Sequence, residues 1–224
     1  MKNFLSIHPS IHPSKSNRAL TVLLLVAGLS FASTASAGLI SKLNGLVVYD
    51  TDSNITWLAD ASLANSSGMS WANAKDWAAN LVYAGFDDWR LPTALNADGS
   101  GPCQGYNCTG SELGNMFYGD INHGLGGVAG QSTTVIHNAN YNLFKNIQWM
   151  DYWSGTESVP NTGLAWHFSF YNGGGDDSDK GTSLSAWAVR DGDVGPSGVP
   201  EPGIIGLLLA GGIGWVGTKA RRRG

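Results

Sequence analysis

The sequence predicts an α+β domain, with helices early and antiparallel strands late. Three observations carry this. Trp71, Ala74, Ala78 and Leu81 recur at helical spacing. Trp166, Phe168 and Phe170 alternate with His167, Ser169 and Tyr171, which is the period of a strand. Two β-rich runs, 46–49 and 55–58, flank Asp50-Thr51-Asp52-Ser53-Asn54, whose side chains favour a turn, so the stretch reads as a hairpin.

After the hairpin, Ser70 offers an N-cap for the first helix, and Gly85 offers a stop beyond Leu81. Thr109-Gly110-Ser111-Glu112 has the form of a capping box. A second helix follows, with Leu113, Met116 and Phe117 facing inward. Beyond Gly119 the chain is Gly- and Asn-rich to about Asn142 and reads as irregular. In the last third, Trp187 and Val189 alternate with Ala186, Ala188 and Arg190. Between the two late strands, residues 172–181 (NGGGDDSDKG) read as a polar loop. The middle of the chain, 38–198, is long enough to bury a core of its own.

Composition narrows the class. Charged residues make up 13% of the 224, with nine Trp and 31 Gly. A disordered chain needs high net charge and few aromatics, and a coiled coil needs Ala, Glu, Lys, Leu and Arg to dominate, so both are excluded. Segment 38–198 holds six Lys and Arg against sixteen Asp and Glu. A field of that sign repels polyanions. Nucleic-acid binding needs clustered cations to displace counterions, so DNA and RNA are rejected as partners. Strongly sulfated polysaccharides are disfavoured for the same reason.

The two ends read as addresses. Basic residues precede the apolar run ALTVLLLVAGLSF at 19–31, and Ala35-Ser36-Ala37 follows it. That order makes residues 1–37 a secretory signal peptide, with cleavage after Ala37 leaving Gly38 as the new N-terminus. At the other end, Pro200-Glu201-Pro202 precedes an apolar stretch, GIIGLLLAGGIGWVG at 203–217, and then Lys219, Arg221, Arg222 and Arg223. This reads as a short transmembrane helix with a cytoplasmic basic tail. Segment 199–224 resembles the PEP-CTERM sorting signal. The resemblance implies a Gram-negative envelope and an exosortase-type processing enzyme that recognises Pro200, Glu201 and Pro202. It also implies a setting of exopolysaccharide and biofilm production. The protein is then held in the inner membrane before processing and reaches the cell surface or the outside afterwards.

Cys103 and Cys108 are the only cysteines. An exported chain meets an oxidising compartment, and an even count fits a disulfide. The alternative is a metal or redox pair, but C-x4-C without further Cys or nearby His makes a poor zinc site.

Several blocks resemble the Lcl C-terminal domain family. Trp89-Arg90-Leu91-Pro92-Thr93 is the most specific, joined by Ile55-Thr56-Trp57-Leu58, Ser70-Trp71-Ala72-Asn73-Ala74 and Gly110-Ser111-Glu112-Leu113-Gly114. Tyr152-Trp153-Ser154-Gly155-Thr156-Glu157, Ala165-Trp166-His167-Phe168 and Ala186-Trp187-Ala188-Val189-Arg190 complete the set, which spans 43–194. The resemblance implies a C-type-lectin-like fold, shared distantly with formylglycine-generating enzymes: two helices on a small twisted antiparallel sheet, with long loops. Read as residues, the blocks are mainly structural, since Trp side chains fill cores. Arg90 and Arg190 stand beside apolar residues and need carboxylate partners, for which Asp88, Asp87 and Glu157 are the candidates.

Chemistry is sparse. Asp50, Asp52 and Asn54 imitate half an EF-hand, but Ile55 and Ala61 stand where that loop needs Gly and Glu. Asp176, Asp177 and Asp179 could hold one Ca²⁺, though a solvated acidic loop is the simpler account. His123, His137 and His167 lack zinc-like spacing, and no hydrolase or nucleotide motif is present. The paired cysteines of the oxidase relatives have no counterpart late in the chain. The expectation is therefore a non-enzymatic exported protein without a resident cofactor. Its partners are polysaccharide or envelope proteins, and Tyr171, Asn172, Asp176, Asp177 and Asp179 are the ligand-binding candidates. An enzyme on the same scaffold and a self-associating matrix protein are the alternatives.

Overall fold

The computed structural model describes residues 38–64, 67–119 and 123–195. The expected signal peptide at 1–37, with Ala37, the segment 203–217 and Pro200, Glu201 and Pro202 lie outside the described residues. No helix among the described residues is long and apolar enough to cross a membrane.

The first sheet has the order β1-β2-β3-β7, built from β1 (Leu39–Lys42), β2 (Val47–Asp50), β3 (Ile55–Leu58) and β7 (Val189–Asp191), all antiparallel. The predicted hairpin is β2–β3, with Val47 opposite Leu58 and Asp50 opposite Ile55. Its turn is closed by Asp50, whose carboxylate accepts from the backbone N–H of Asp52 at 3.0 Å and Ser53 at 3.3 Å. Asp50 is buried, and that burial raises its carboxyl above the usual range. These side chains make an ordinary Asx turn.

The first helix, α1 (Trp71–Ala79), buries Trp71, Ala74 and Ala78 as the spacing predicts. It stops before Leu81. Asn80 closes the last turn, with its amide Nδ2 donating to the Asp76 carbonyl at 2.8 Å. The second helix, α2 (Glu112–Tyr118), buries Leu113, Gly114, Met116 and Phe117. Its cap is Ser111, whose Oγ accepts from Gly114 N at 3.1 Å, and not Thr109. The capping box does not form because the Glu112 carboxylate is taken by Arg90 and by the backbone N–H of Thr93.

The second sheet has the order β4-β5-β6, from β4 (Asp151–Glu157), β5 (Leu164–Ser169) and β6 (Gly175–Asp179). Here the structure corrects the sequence reading. Much of the expected polar loop 172–181 is strand β6, paired with β5 over five positions from Leu164–Asp179 to Phe168–Gly175. The expected single small sheet is thus two, and the whole is a small α+β fold with long connections.

Both sheets and α2 share one aromatic core. Trp57 and Trp187 lie with ring centroids 4.9 Å apart, and Phe117 meets Phe168 at 5.5 Å and Phe170 at 5.6 Å. Three of the buried indole N–H groups find carbonyls, while that of Trp57 has no partner: Trp187 donates to Leu58 at 2.8 Å, Trp71 to Ser154 at 2.7 Å and Trp153 to Met69 at 2.9 Å. Such pairing lets a Trp be buried without an orphaned donor. Arg190 pairs with Asp88 as expected, at 2.7 and 2.8 Å. Arg90 instead pairs with Glu112 and Asp191, Asp87 is exposed, and Glu157 holds Lys180.

Candidate functional site

The candidate ligand cleft lies where the cysteine loop meets the β5–β6 turn. The chain forms the disulfide Cys103–Cys108, with Cα atoms 5.5 Å apart, and no free cysteine is present among the described residues. The closed loop extends the second sheet by one rung. Gly105 N donates to Gly175 O at 2.8 Å, and Gly175 N donates to Gly105 O at 2.9 Å. A Cβ on Gly175 would stand 2.8 Å from the Cys103 carbonyl, so only glycine permits this approach. Gln104 adds a side-chain bond, its Nε2 donating to Asp176 Oδ1 at 2.8 Å.

The turn itself is braced from α2. Tyr118 OH donates to the Gly173 carbonyl at 2.6 Å and accepts from Asn107 N at 3.0 Å. One phenol thus ties the turn to the cysteine loop, and its own pKa is raised by burial. Asn172 Oδ1 accepts from Gly174 N at 2.9 Å, which shapes the turn.

The resulting cleft has a volume of about 300 Å³ and is lined by Tyr106, Asp151, His167, Ser169, Asn172 and Asp176, with backbone of the two loops. The register explains this grouping. Asp151 is directly opposite Ser169, and His167 is opposite Asp176, so β4, β5 and β6 each contribute to one sheet face. His167 Nε2 stands 3.0 Å from Ser178 Oγ, while its Nδ1 has no hydrogen-bond partner and lies 4.0 Å from Asp151 Oδ2. Burial lowers the His167 pKa; the carboxylates of Asp151, Asp176 and Asp177 oppose that shift without cancelling it. The ring is therefore neutral near pH 7.

Two of the five candidates from sequence, Asn172 and Asp176, line this cleft. Tyr171 stands beside it, half-exposed, with its ring 5.8 Å from that of the exposed Trp149. Asp177 and Asp179 project from the other face of β6, as strand alternation requires. Asp177 is bound by the Ser158 hydroxyl, and Asp179 accepts from Gly181 N at 2.7 Å. The three carboxylates are thus split, and no group of three or more His, Cys, Asp or Glu among the described residues could hold a metal ion. The loop-calcium arrangement drawn from the sequence does not form. Tyr106, Asp151 and Ser169 were not picked out from the sequence, and His167 was weighed there only as a histidine without zinc-like spacing. Only the alternation around His167 and Ser169 pointed to a shared face, and nothing local marked Asp151.

Two larger clefts, of about 550 and 520 Å³, share Thr93 and Leu95. In the first, Asp52 is paired with His123 at 2.7 Å and Glu112 with Arg90, so its carboxylates already have partners. The second is mainly apolar, floored by Trp89 and Leu91. Of the residues expected from the sequence to mark processing, only Gly38 is described; its N–H donates to Thr51 Oγ1 at 2.7 Å, just before β1.

Residues 46–190 match the family model of the Lcl C-terminal domain. No curated protein matches the sequence.

Proposed function

Because the chain belongs to the Lcl C-terminal domain family, we propose that it is an exported, non-enzymatic protein of the cell surface or extracellular matrix that binds polysaccharide or an envelope protein. Family membership supports the surface or extracellular setting. The PEP-CTERM-like tail supports inner-membrane anchoring, exosortase-type processing at Pro200, Glu201 and Pro202, and an exopolysaccharide context. The C-type-lectin-like class belongs to the same reading, supported by the two helices and small antiparallel sheets.

The observation that carries the binding reading is the cleft with its aromatic surround. Tyr106 lines the site with Ser169, Asn172 and Asp176, and Tyr171, next in sequence to Asn172, stands against Trp149; all three rings are more than half exposed. Exposed rings offer apolar area for sugar faces, and the polar groups match sugar hydroxyls. A glycan array probed with the full chain, with calcium and with chelator, tests this. Binding is expected in both conditions. No binding in either removes the reading.

The alternative, an enzyme on the same scaffold, draws on one specific feature. Ser178, His167 and Asp151 follow one another in the order of a hydrolytic triad. The 4.0 Å between His167 Nδ1 and Asp151 is beyond hydrogen-bond reach, so Asp151 does not orient the ring. Turnover of an ester substrate, lost in Ser178→Ala, would favour the enzyme over the binding protein.

A further inference from the structure

Resting on that binding reading, we propose that this cleft selects glycans with free ammonium groups, as in a polymer of de-N-acetylated hexosamine. Asp151 and Asp176 line the cleft, and no Lys or Arg does. Asp176 accepts from Gln104 and from the N–H of Asp177. Asp151 has no such donor in the cleft; the nearest ring nitrogen, His167 Nδ1, is 4.0 Å away.

His167 supplies the second observation. Its side chain is 10% exposed, its Nε2 is engaged with Ser178, and its Nδ1 is left without a partner. An unmatched buried polar atom costs free energy, so His167 Nδ1 calls for a donor, and the Asp151 carboxylate beside it offers that donor an opposite charge. A gap of 4.0 Å suits one nitrogen at ordinary hydrogen-bond distance, about 2.9 Å, from each end. An ammonium carries three donors and a charge opposite to that of Asp151. The Asp151 side chain is 37% exposed, so an incoming ammonium meets this carboxylate first and reaches the buried Nδ1 behind it as Asp151 turns aside. A sulfated or carboxylated sugar would meet uncompensated carboxylates. An N-acetylated sugar brings one amide N–H and no charge, with extra bulk in a cleft of about 300 Å³. Ser169, Asn172 and the Tyr106 ring remain for the pyranose hydroxyls and apolar face.

The test compares the full chain by calorimetry against oligomers of glucosamine and of N-acetylglucosamine, matched in length, with a sulfated oligosaccharide as a third arm. Glucosamine oligomers should bind about tenfold tighter than the N-acetylated ones, the factor that about 1.4 kcal/mol gives. Asp151→Asn and Asp176→Asn should each reduce that preference, while Asp98→Asn, exposed and away from the cleft, should leave it unchanged. The melting temperature of each variant shows that the fold is kept. Equal affinity for the two oligomers overturns the ammonium selectivity and leaves glycan binding standing. Equal losses in all three variants reduce the effect to general attraction by an acidic surface and overturn the site. Binding of no oligomer overturns both readings.

Discussion

Arg90 and Glu112 form a two-pronged ion pair, with Nη1 donating to Oε2 at 2.8 Å and Nη2 to Oε1 at 2.7 Å. The pair fastens the segment after α1 to the first turn of α2. The same carboxylate accepts from Thr93 N at 2.7 Å, so one side chain fixes the path of the Trp89–Thr93 block. Charge-assisted, planar geometry of this kind is stronger than an ordinary hydrogen bond. Glu112→Gln keeps the shape and removes the charge. It should destabilise the protein by about 2 kcal/mol, seen as a lower urea midpoint with unchanged slope. An unchanged midpoint would show that Asp191, the other partner of Arg90, suffices.

Gly114 lies where α2 meets the cysteine loop. A Cβ there would stand 1.9 Å from the Cys108 carbonyl and 2.8 Å from Ser111 Oγ, the cap of the same helix. Ala is the better helix former, yet here Gly114→Ala should cost at least about 2 kcal/mol through overpacking. A rise in melting temperature would show that the backbone yields freely.

His167 makes stability depend on pH with a definite sign. Burial lowers its folded pKa, so the unfolded chain takes up a proton first as the pH falls. The contribution is fully present above the unfolded value of about 6.5 and is lost as the pH drops through the lower folded value. The melting temperature should therefore decline between neutral and mildly acidic pH. His167→Gln should flatten that decline. Parallel curves for the two proteins would assign the slope to other groups.

Removing the disulfide by Cys103→Ser with Cys108→Ser should cost about 2 kcal/mol in the chain-entropy account of a short loop. Ligand affinity should fall as well, because Gln104, Gly105 and Tyr106 form one wall of the cleft. Titration at a temperature where the variant is still folded separates the two effects. Undiminished affinity would mean that the Gly105–Gly175 rung holds the wall alone.

Much of this architecture is legible in the residues themselves. The β2–β3 hairpin shows because hydrophobic runs flank an Asp- and Asn-rich turn. The inner faces of both helices show because Trp71, Ala74, Ala78, Leu113, Met116 and Phe117 keep helical spacing. Strand β6 does not show, since GDDSD lacks any apolar alternation and its pairing with β5 rests on the backbone ladder with one polar side-chain bond, His167 to Ser178. The cleft is illegible for a related reason. Its members come from three strands and a crosslinked loop, and only register brings Asp151 across from Ser169. The partner of Arg90 was missed because Glu112 lies 22 residues away and presents itself as a helix cap.

The Cys103–Cys108 crosslink spans Tyr106, which is exposed at the rim. A protease that cuts after this residue would therefore nick the chain without separating it. The two pieces would migrate together on a gel until a thiol reagent was added, and only then part.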